Sequence, residues 1–261
     1  MTARVNWSAM RMAKAKILIL GGTGEARELA ARAVARFADQ ALVITSQAGV
    51  TSTPEPVAGR LVSGGFGGIS GLQSFIEDED IALVVDATHA FAATISDNAY
   101  IACLATRARR ITLVRPQWEI PEGARVTEVA DMAGAARVLE KLASRVLVTT
   151  GRRGLEAFSS LQRIWFLVRL IEMPAQPLAL TDYRIITARP PYTVEDERKL
   201  LGEYAIDGLL SKQSGGDATF AKIIAAVEAD LPIVLIRRPD LVPGDWTASI
   251  DDCLDWLQAQ L

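Results

Sequence analysis

The residues of this chain best suited to chemistry lie in short loops, each following a run of apolar residues. The first is GGTGEAR, residues 21–27, directly after ILIL at 17–20. Gly21, Gly22 and Gly24 let the backbone turn sharply and expose amide N–H groups at the start of a helix, where the macrodipole favours an anion. They make a natural seat for the pyrophosphate of a dinucleotide. The usual GxGxxG is incomplete, because Gly22 and Gly24 keep the spacing but Arg27 stands in the third glycine's place. A tight structural turn is the alternative reading.

After the second apolar run, where an NAD-binding unit offers a carboxylate to the ribose, this chain offers Thr45, Ser46 and Gln47. No acid is there to repel a 2′-phosphate, so a bound dinucleotide would be NADP rather than NAD, with Ser46 near it; otherwise the serine merely closes a turn. His89, the single histidine, follows IALVVDAT. Beside Asp86 and Thr88 it could bond a ligand or deliver a proton near neutral pH, or it could simply cap a helix. TTGRRG brings Thr150, Gly151, Arg152 and Arg153 together, and SKQSGG brings Lys212, Ser214 and Gly215. Hydroxyls, amides and cations in one loop suit a carboxylate or phosphate, although each loop alone could be a turn carrying solvated charge.

Several chemistries are excluded. No tyrosine is followed four residues later by lysine, since Tyr100, Tyr183, Tyr192 and Tyr204 lead to Leu104, Thr187, Asp196 and Gly208. The chain has neither GxxxxGK[ST] nor GxSxG, and one histidine with two separated cysteines gives no zinc site. A net charge of −3 argues against a nucleic-acid binder, which needs a basic face.

These loops need elements to position them. The chain of 261 residues, half of them hydrophobic, can form one large or two modest domains. Continuous apolar strands alternate with helical patterns, the grammar of parallel sheets covered on both faces. Strands are expected at 17–20, 41–45, 60–63, 81–88, 110–114, 145–150, 165–171, 183–191, 206–211 and 232–239, with RVTEVA starting a second set. Helices are expected near 25–37, 69–77, 92–107, 131–142, 193–204 and 217–229, and at the C-terminus. RPQWEIPEG, residues 115–123, interrupts the alternation. The expected division is an N-terminal extension through residue 15, a nucleotide-binding α/β domain over 16–118 and a substrate-binding α/β domain over 119–261. Ligands should meet the carboxyl edges of the strands.

Cys103 and Cys253 lie in amphipathic helical patterns and read as small buried hydrophobes, which fits a reducing cytoplasm. The N-terminus lacks a signal peptide's apolar stretch, and no run approaches the ~20 apolar residues that span a bilayer. A cytoplasmic protein without a membrane partner is expected; a monomer is compatible with the sequence.

Taken in order, GGTGEAR, TSQAG, DATHAFA, RPQW, TTGRRG, ARPPY, SKQSGG and IRRP closely resemble the precorrin-6A reductases of cobalamin biosynthesis, from Ile17 to the final helix. The resemblance implies two Rossmann-like domains with the active site in the cleft between them, and NADPH-dependent reduction of one double bond of precorrin-6A to give precorrin-6B. Carried over by position, Gly22, Thr23, Gly24, Glu25, Ser46 and Thr88 meet the cofactor. Thr150, Gly151, Arg152, Arg153, Ser214 and Gly215 meet the anionic tetrapyrrole, and His89 and Lys212 are the candidate proton donors. Ala90 replaces the proline of the family's DATHPFA, and Gln47 and Val50 depart from its SLAGR-like loop. The rivals are a non-catalytic NADP sensor and an NADP-dependent reductase of another polycarboxylate.

Overall fold

The computed structural model describes residues 14–47 and 56–261. Val50 and most of the expected N-terminal extension lie outside these residues, and the first strand already begins at Ala15.

The first half alternates as expected. Strand β1 (Ala15–Leu20) leads to α1 (Gly24–Arg36), β2 (Ala41–Gln47), β3 (Arg60–Ser63), α2 (Ile69–Asp78), β4 (Leu83–Asp86), α3 (Ala93–Thr106) and β5 (Arg109–Leu113). Each apolar strand presents alternate residues to opposite faces. Ile17, Ile19, Val43, Leu83 and Val85 join Leu29, Ala30 and Ala33 of α1 in one buried cluster, while Leu18, Leu20, Ile44 and Val84 join Leu72 of α2 and Ala99, Ala102 and Cys103 of α3 in another.

The second half begins with β6 (Val126–Val129) and continues through α4 (Met132–Leu142), β7 (Arg145–Val148), β8 (Trp165–Leu170), β9 (Tyr183–Thr187), α5 (Val194–Glu203), β10 (Gly208–Lys212), α6 (Ala221–Glu228) and β11 (Ile233–Ile236). Strand β12 (Asp245–Thr247) and α7 (Ile250–Gln260) close the chain. The helix expected over 217–229 is split: a short 3-10 turn over Asp217–Thr219 precedes α6, because Gly215 and Gly216 hold positive φ angles that feed a tighter turn first.

Among the described residues all strand pairings are parallel. The sheets run β3-β2-β1-β4-β5-β12 and β9-β8-β7-β10-β11-β6. Counted within each sheet from its central strand, β1 or β7, both have the 3-2-1-4-5-6 order of a dinucleotide-binding fold. The sixth place of each is filled by a strand from outside its own run. Strand β6, next after β5 in the chain, pairs with β11, and β12 pairs with β5.

The expected division at residue 118 is therefore corrected. Among the described residues, one unit comprises those up to 114 together with 241–261, and the other 115–240. The physical reason lies in α7, whose Cys253, Leu254 and Leu257 are buried in the α1 cluster. Arg32 pairs with Asp251, and Arg36 with Asp255 at 2.8 Å, exposed contacts that orient the two helices but add little stability. Both cysteines are buried and free, as expected. Burial pushes the Cys103 thiol up to about 11 and the Cys253 thiol up to about 12, so neither behaves as a nucleophile.

In the second unit, Leu147, Leu167, Leu209, Ile233 and Leu235 meet Leu201 of α5 and Ile223 and Ala226 of α6. Arg169 of β8 crosses this region to Glu197 of α5 at 2.7 Å, an ion pair with side chains only 7% and 1% exposed.

Leu257 is fully buried against the first unit's core. Leu257→Ala is expected to destabilise the unit containing Trp246 and Trp256 by about 2–5 kcal/mol, read as a lower urea midpoint for their fluorescence. An unchanged midpoint would mean that α7 does not hold this unit together.

Candidate active site

The candidate loops of each unit leave its sheet at the point where strand order reverses. In the first unit these are the chain after β1 and the chain after β4, since Leu20 and Asp86 are neighbours in register. Loops diverging from adjacent parallel strands open a crevice at the carboxyl edge, which is where such sheets bind ligands.

Thr23 fastens the two loops together. Its hydroxyl donates to the Ala87 carbonyl at 2.8 Å and accepts from the Ala26 amide at 3.1 Å, capping α1. The Gly21 amide donates to the Ser46 carbonyl at 2.8 Å, which ties in the end of β2. Gly22, at φ +105°, adopts a conformation that side chains avoid, and a Cβ there would meet nothing within 4 Å. The approach to the first turn of α1 is thus open, and its amides have no carbonyl one turn back to accept them.

Asp86 organises the second loop: its Oδ1 accepts from the Thr88 amide at 3.1 Å and the Thr88 hydroxyl at 2.7 Å. His89 is exposed, and its Nδ1 accepts from the Phe91 amide at 3.2 Å. That bond assigns the neutral ring's proton to Nε2. Glu25 is half-buried in the first turn of α1.

Strand periodicity separates Thr45 from Ser46. Thr45 faces the glycine loop, its methyl 3.1 Å from where a Cβ on Gly21 would sit, while the buried Ser46 points to the opposite face and serves that loop through its carbonyl. Among the described residues, Thr45 Oγ1 and Asp86 Oδ2 are buried without a hydrogen-bond partner. An open helix N-terminus with the Thr45 hydroxyl on its side of the sheet fits a nucleotide with phosphate and ribose groups, while Asp86, in register with Leu20, faces the α3 side.

In the second unit the corresponding loops follow β7 and β10. The Thr149 amide and hydroxyl both reach the Leu210 carbonyl, at 3.0 and 3.1 Å, holding the two loops side by side. Thr150 is buried and Gly151 half-buried, whereas Arg152 and Arg153 are exposed. Lys212 and Ser214 are half-buried, and the lysine's ammonium is held below its usual range by burial and then by the nearby Arg153 charge. The predicted cationic groups are therefore gathered at one edge. Gly215 is different: it is buried, with φ +68°, and a Cβ there would collide with the Arg238 guanidinium and the Pro116 carbonyl.

Sequence reasoning missed three residues of this edge. Trp118 and Arg238 lie in RPQW and IRRP, segments seen as motifs but given no role. Lys222 sits in the first turn of α6, only 4% exposed, its Nζ 2.8 Å from the Thr219 carbonyl and 4.5 Å from the Trp118 ring centroid. A lysine in an amphipathic helix is ordinarily placed in solvent, so no local signal marks it.

This arrangement defines an α/β protein with two Rossmann-like units, an anion-receptive glycine loop in one and a cationic strand edge in the other. The chain belongs to the precorrin-6x reductase family CbiJ/CobK, which matches residues 16–258. A precorrin-6A reductase of Rhodococcus erythropolis is 42% identical over 241 residues, covering 91% of this chain and 94% of that protein. One from Rhodobacter capsulatus is 38% identical over 245 residues, covering 93% and 95%. The solved structure of a CobK precorrin-6A reductase, 37% identical, superposes with a TM-score of 0.86 over 94% of this chain and 97% of its own.

Burial, with Arg169 acting in the same direction and Glu197 opposing, pushes the Lys222 ammonium down to about 7. Above that pH the folded chain has released a proton that the unfolded chain keeps until about 10.4, so stability rises with pH across this interval; below it the cost of the buried charge is fully present. Relative to Lys222→Met, the wild-type urea midpoint should climb from about pH 7 to pH 9. Parallel pH profiles would contradict a depressed lysine.

Proposed function

We propose that this chain reduces one double bond of precorrin-6A to give precorrin-6B, using NADPH, as a cytoplasmic step of cobalamin biosynthesis. The observation that carries the reading is membership of the family across residues 16–258, with precorrin-6A reductases matched over nearly their whole length. The geometry supports it, because each unit presents at its strand-order reversal the kind of group its ligand needs.

NADPH, when bound, supplies the hydride. The chain's own residues bind and orient. Gly22, Thr23, Gly24 and Glu25 shape the seat for the cofactor's phosphates, with the α1 dipole favouring the negative charge. The end of β2 contributes Thr45 and, through its carbonyl, Ser46, and it carries no acid to repel a 2′-phosphate. Thr88, fixed by Asp86, sets the loop that carries His89.

Precorrin-6A carries several carboxylates. Arg152, Arg153 and Lys212, with the Thr150 and Gly151 loop and Ser214, receive them as charge-assisted hydrogen bonds. Hydride addition to the macrocycle must be matched by one proton. His89 donates it as the imidazolium, which returns to the neutral ring; taking up that charge puts a proton on Nδ1 and releases its bond from the Phe91 amide. Lys212, the other candidate donor, then serves as a carboxylate anchor. Catalysis is mainly positioning, because the cofactor brings the reactive electron pair.

The test is anaerobic incubation with precorrin-6A and either NADPH or NADH. One NADPH should be consumed per macrocycle, and NADH should act at least about tenfold less efficiently, the loss expected when a charge-assisted contact is absent. Binding without consumption would indicate a sensor, and reduction only of other polycarboxylates would indicate the rival enzyme. In the same assay His89→Ala should lower kcat about a hundredfold. An unchanged kcat would assign the proton to solvent.

A further inference from the structure

The loop Gln213–Gly216, which leaves β10 directly after Lys212, is fastened by residues far from it in sequence. The Arg238 guanidinium donates three hydrogen bonds to backbone carbonyls: Nε to Gln213 at 2.6 Å, Nη1 to Arg115 at 2.6 Å and Nη2 to Pro116 at 3.0 Å. The Trp118 indole N–H donates to the Gly216 carbonyl at 2.7 Å. The buried Gln213 side chain returns the contact, its Oε1 accepting from the Trp118 amide at 3.4 Å and its Nε2 donating to the Trp118 carbonyl at 3.3 Å. Trp118 is itself only 7% exposed, stacked on Phe220 with ring centroids 5.8 Å apart. Gly215 completes the fit, because any side chain there would displace Arg238 or the Pro116 carbonyl.

This is more fixation than a surface turn needs. A four-residue loop with two glycines at positive φ has many conformations of its own, and ordering them costs entropy unless outside groups select one. Here the RPQW and IRRP segments select it from both sides. The loop so fixed carries Ser214 and directly follows Lys212, at the edge that also presents Arg152 and Arg153.

We propose that Trp118 and Arg238 are positioning residues for substrate: through the Gln213–Gly216 backbone they preset Lys212 and Ser214 to receive the carboxylates of the macrocycle. The proposal rests on the reading that this loop meets the tetrapyrrole. Neither residue touches substrate. A rigid receptor keeps its cations in place before the ligand arrives, so the affinity for a polyanion is not diminished by ordering the loop on binding.

The test uses the full chain carrying Trp118→Phe, which keeps an aromatic ring but loses the indole donor, and Arg238→Lys, which keeps the charge but cannot span three carbonyls. Two quantities are measured: hydrogen exchange of the amides of residues 212–216, and kcat and KM for precorrin-6A at saturating NADPH. Both variants should exchange these amides at least about tenfold faster and raise KM about tenfold, with kcat changed less than about threefold, the scale of losing one strong hydrogen bond. The affinity for NADPH should stay within about twofold. Arg238→Ala should recover part of its KM when methylguanidinium is added.

Unchanged exchange in both variants would overturn the clamp whatever the kinetics. Faster exchange with unchanged KM would overturn the positioning role when Lys212→Ala still raises KM. If Lys212→Ala and Ser214→Ala also leave KM unchanged, the reading of this loop as the substrate site fails with it.

Discussion

The Thr23 hydroxyl makes two hydrogen bonds, and the geometry of the first unit's ligand edge depends on both. By accepting from Ala26 it starts α1, and by donating to Ala87 it pins that start to the chain leaving β4. A sheet of parallel strands buried on both faces releases all its chains at one edge, and something must hold those chains in register where the ladder hydrogen bonds end. Here a side chain 5% exposed does so, with the Gly21 amide doing the same for β2. Its position makes α1 point its N-terminus, with its uncompensated amides, at the opening between the two loops.

The second unit repeats the sheet order and solves the same problem by other means. The loop after β7 is tied to β10 through Thr149, and the loop after β10 is tied to distant segments through Gln213, Trp118 and Arg238. No α-helix begins directly after β7, where only a 3-10 turn over Leu155–Phe158 follows. In place of a helix dipole, that point of the second unit presents side-chain cations, Arg152, Arg153 and Lys212. This division suits a reaction between a phosphate-bearing cofactor and a polycarboxylate ring: compact backbone donors for one, spread and reaching guanidinium and ammonium groups for the other.

Much of this was legible in the sequence. Consecutive apolar runs located the strands, and because such strands must be parallel, the loops worth inspecting were those at their carboxyl ends. That rule singled out GGTGEAR, TSQAG, DATHAFA, TTGRRG and SKQSGG, but not which of them would be neighbours. Sheet membership was not legible, because VTEV of β6 and DWT of β12 carry no local mark of which edge they will join. The three residues of β12, with Trp246 61% exposed, make too short and polar a run to read as a strand at all. Nor were the contacts of Trp118 and Arg238, which join residues 25 to 123 positions apart. Thr45 was passed over for Ser46 because the face that each presents depends on where the strand starts its alternation.

The central claim of the proposed function is that the chain reduces its macrocycle with a hydride taken from NADPH. The most direct measurement uses NADPH deuterated at the transferable nicotinamide carbon, on one face or the other, with mass analysis of the tetrapyrrole product. The account predicts that one of the two labelled cofactors delivers a single deuterium to carbon and the other delivers none. A product free of deuterium from both would contradict it.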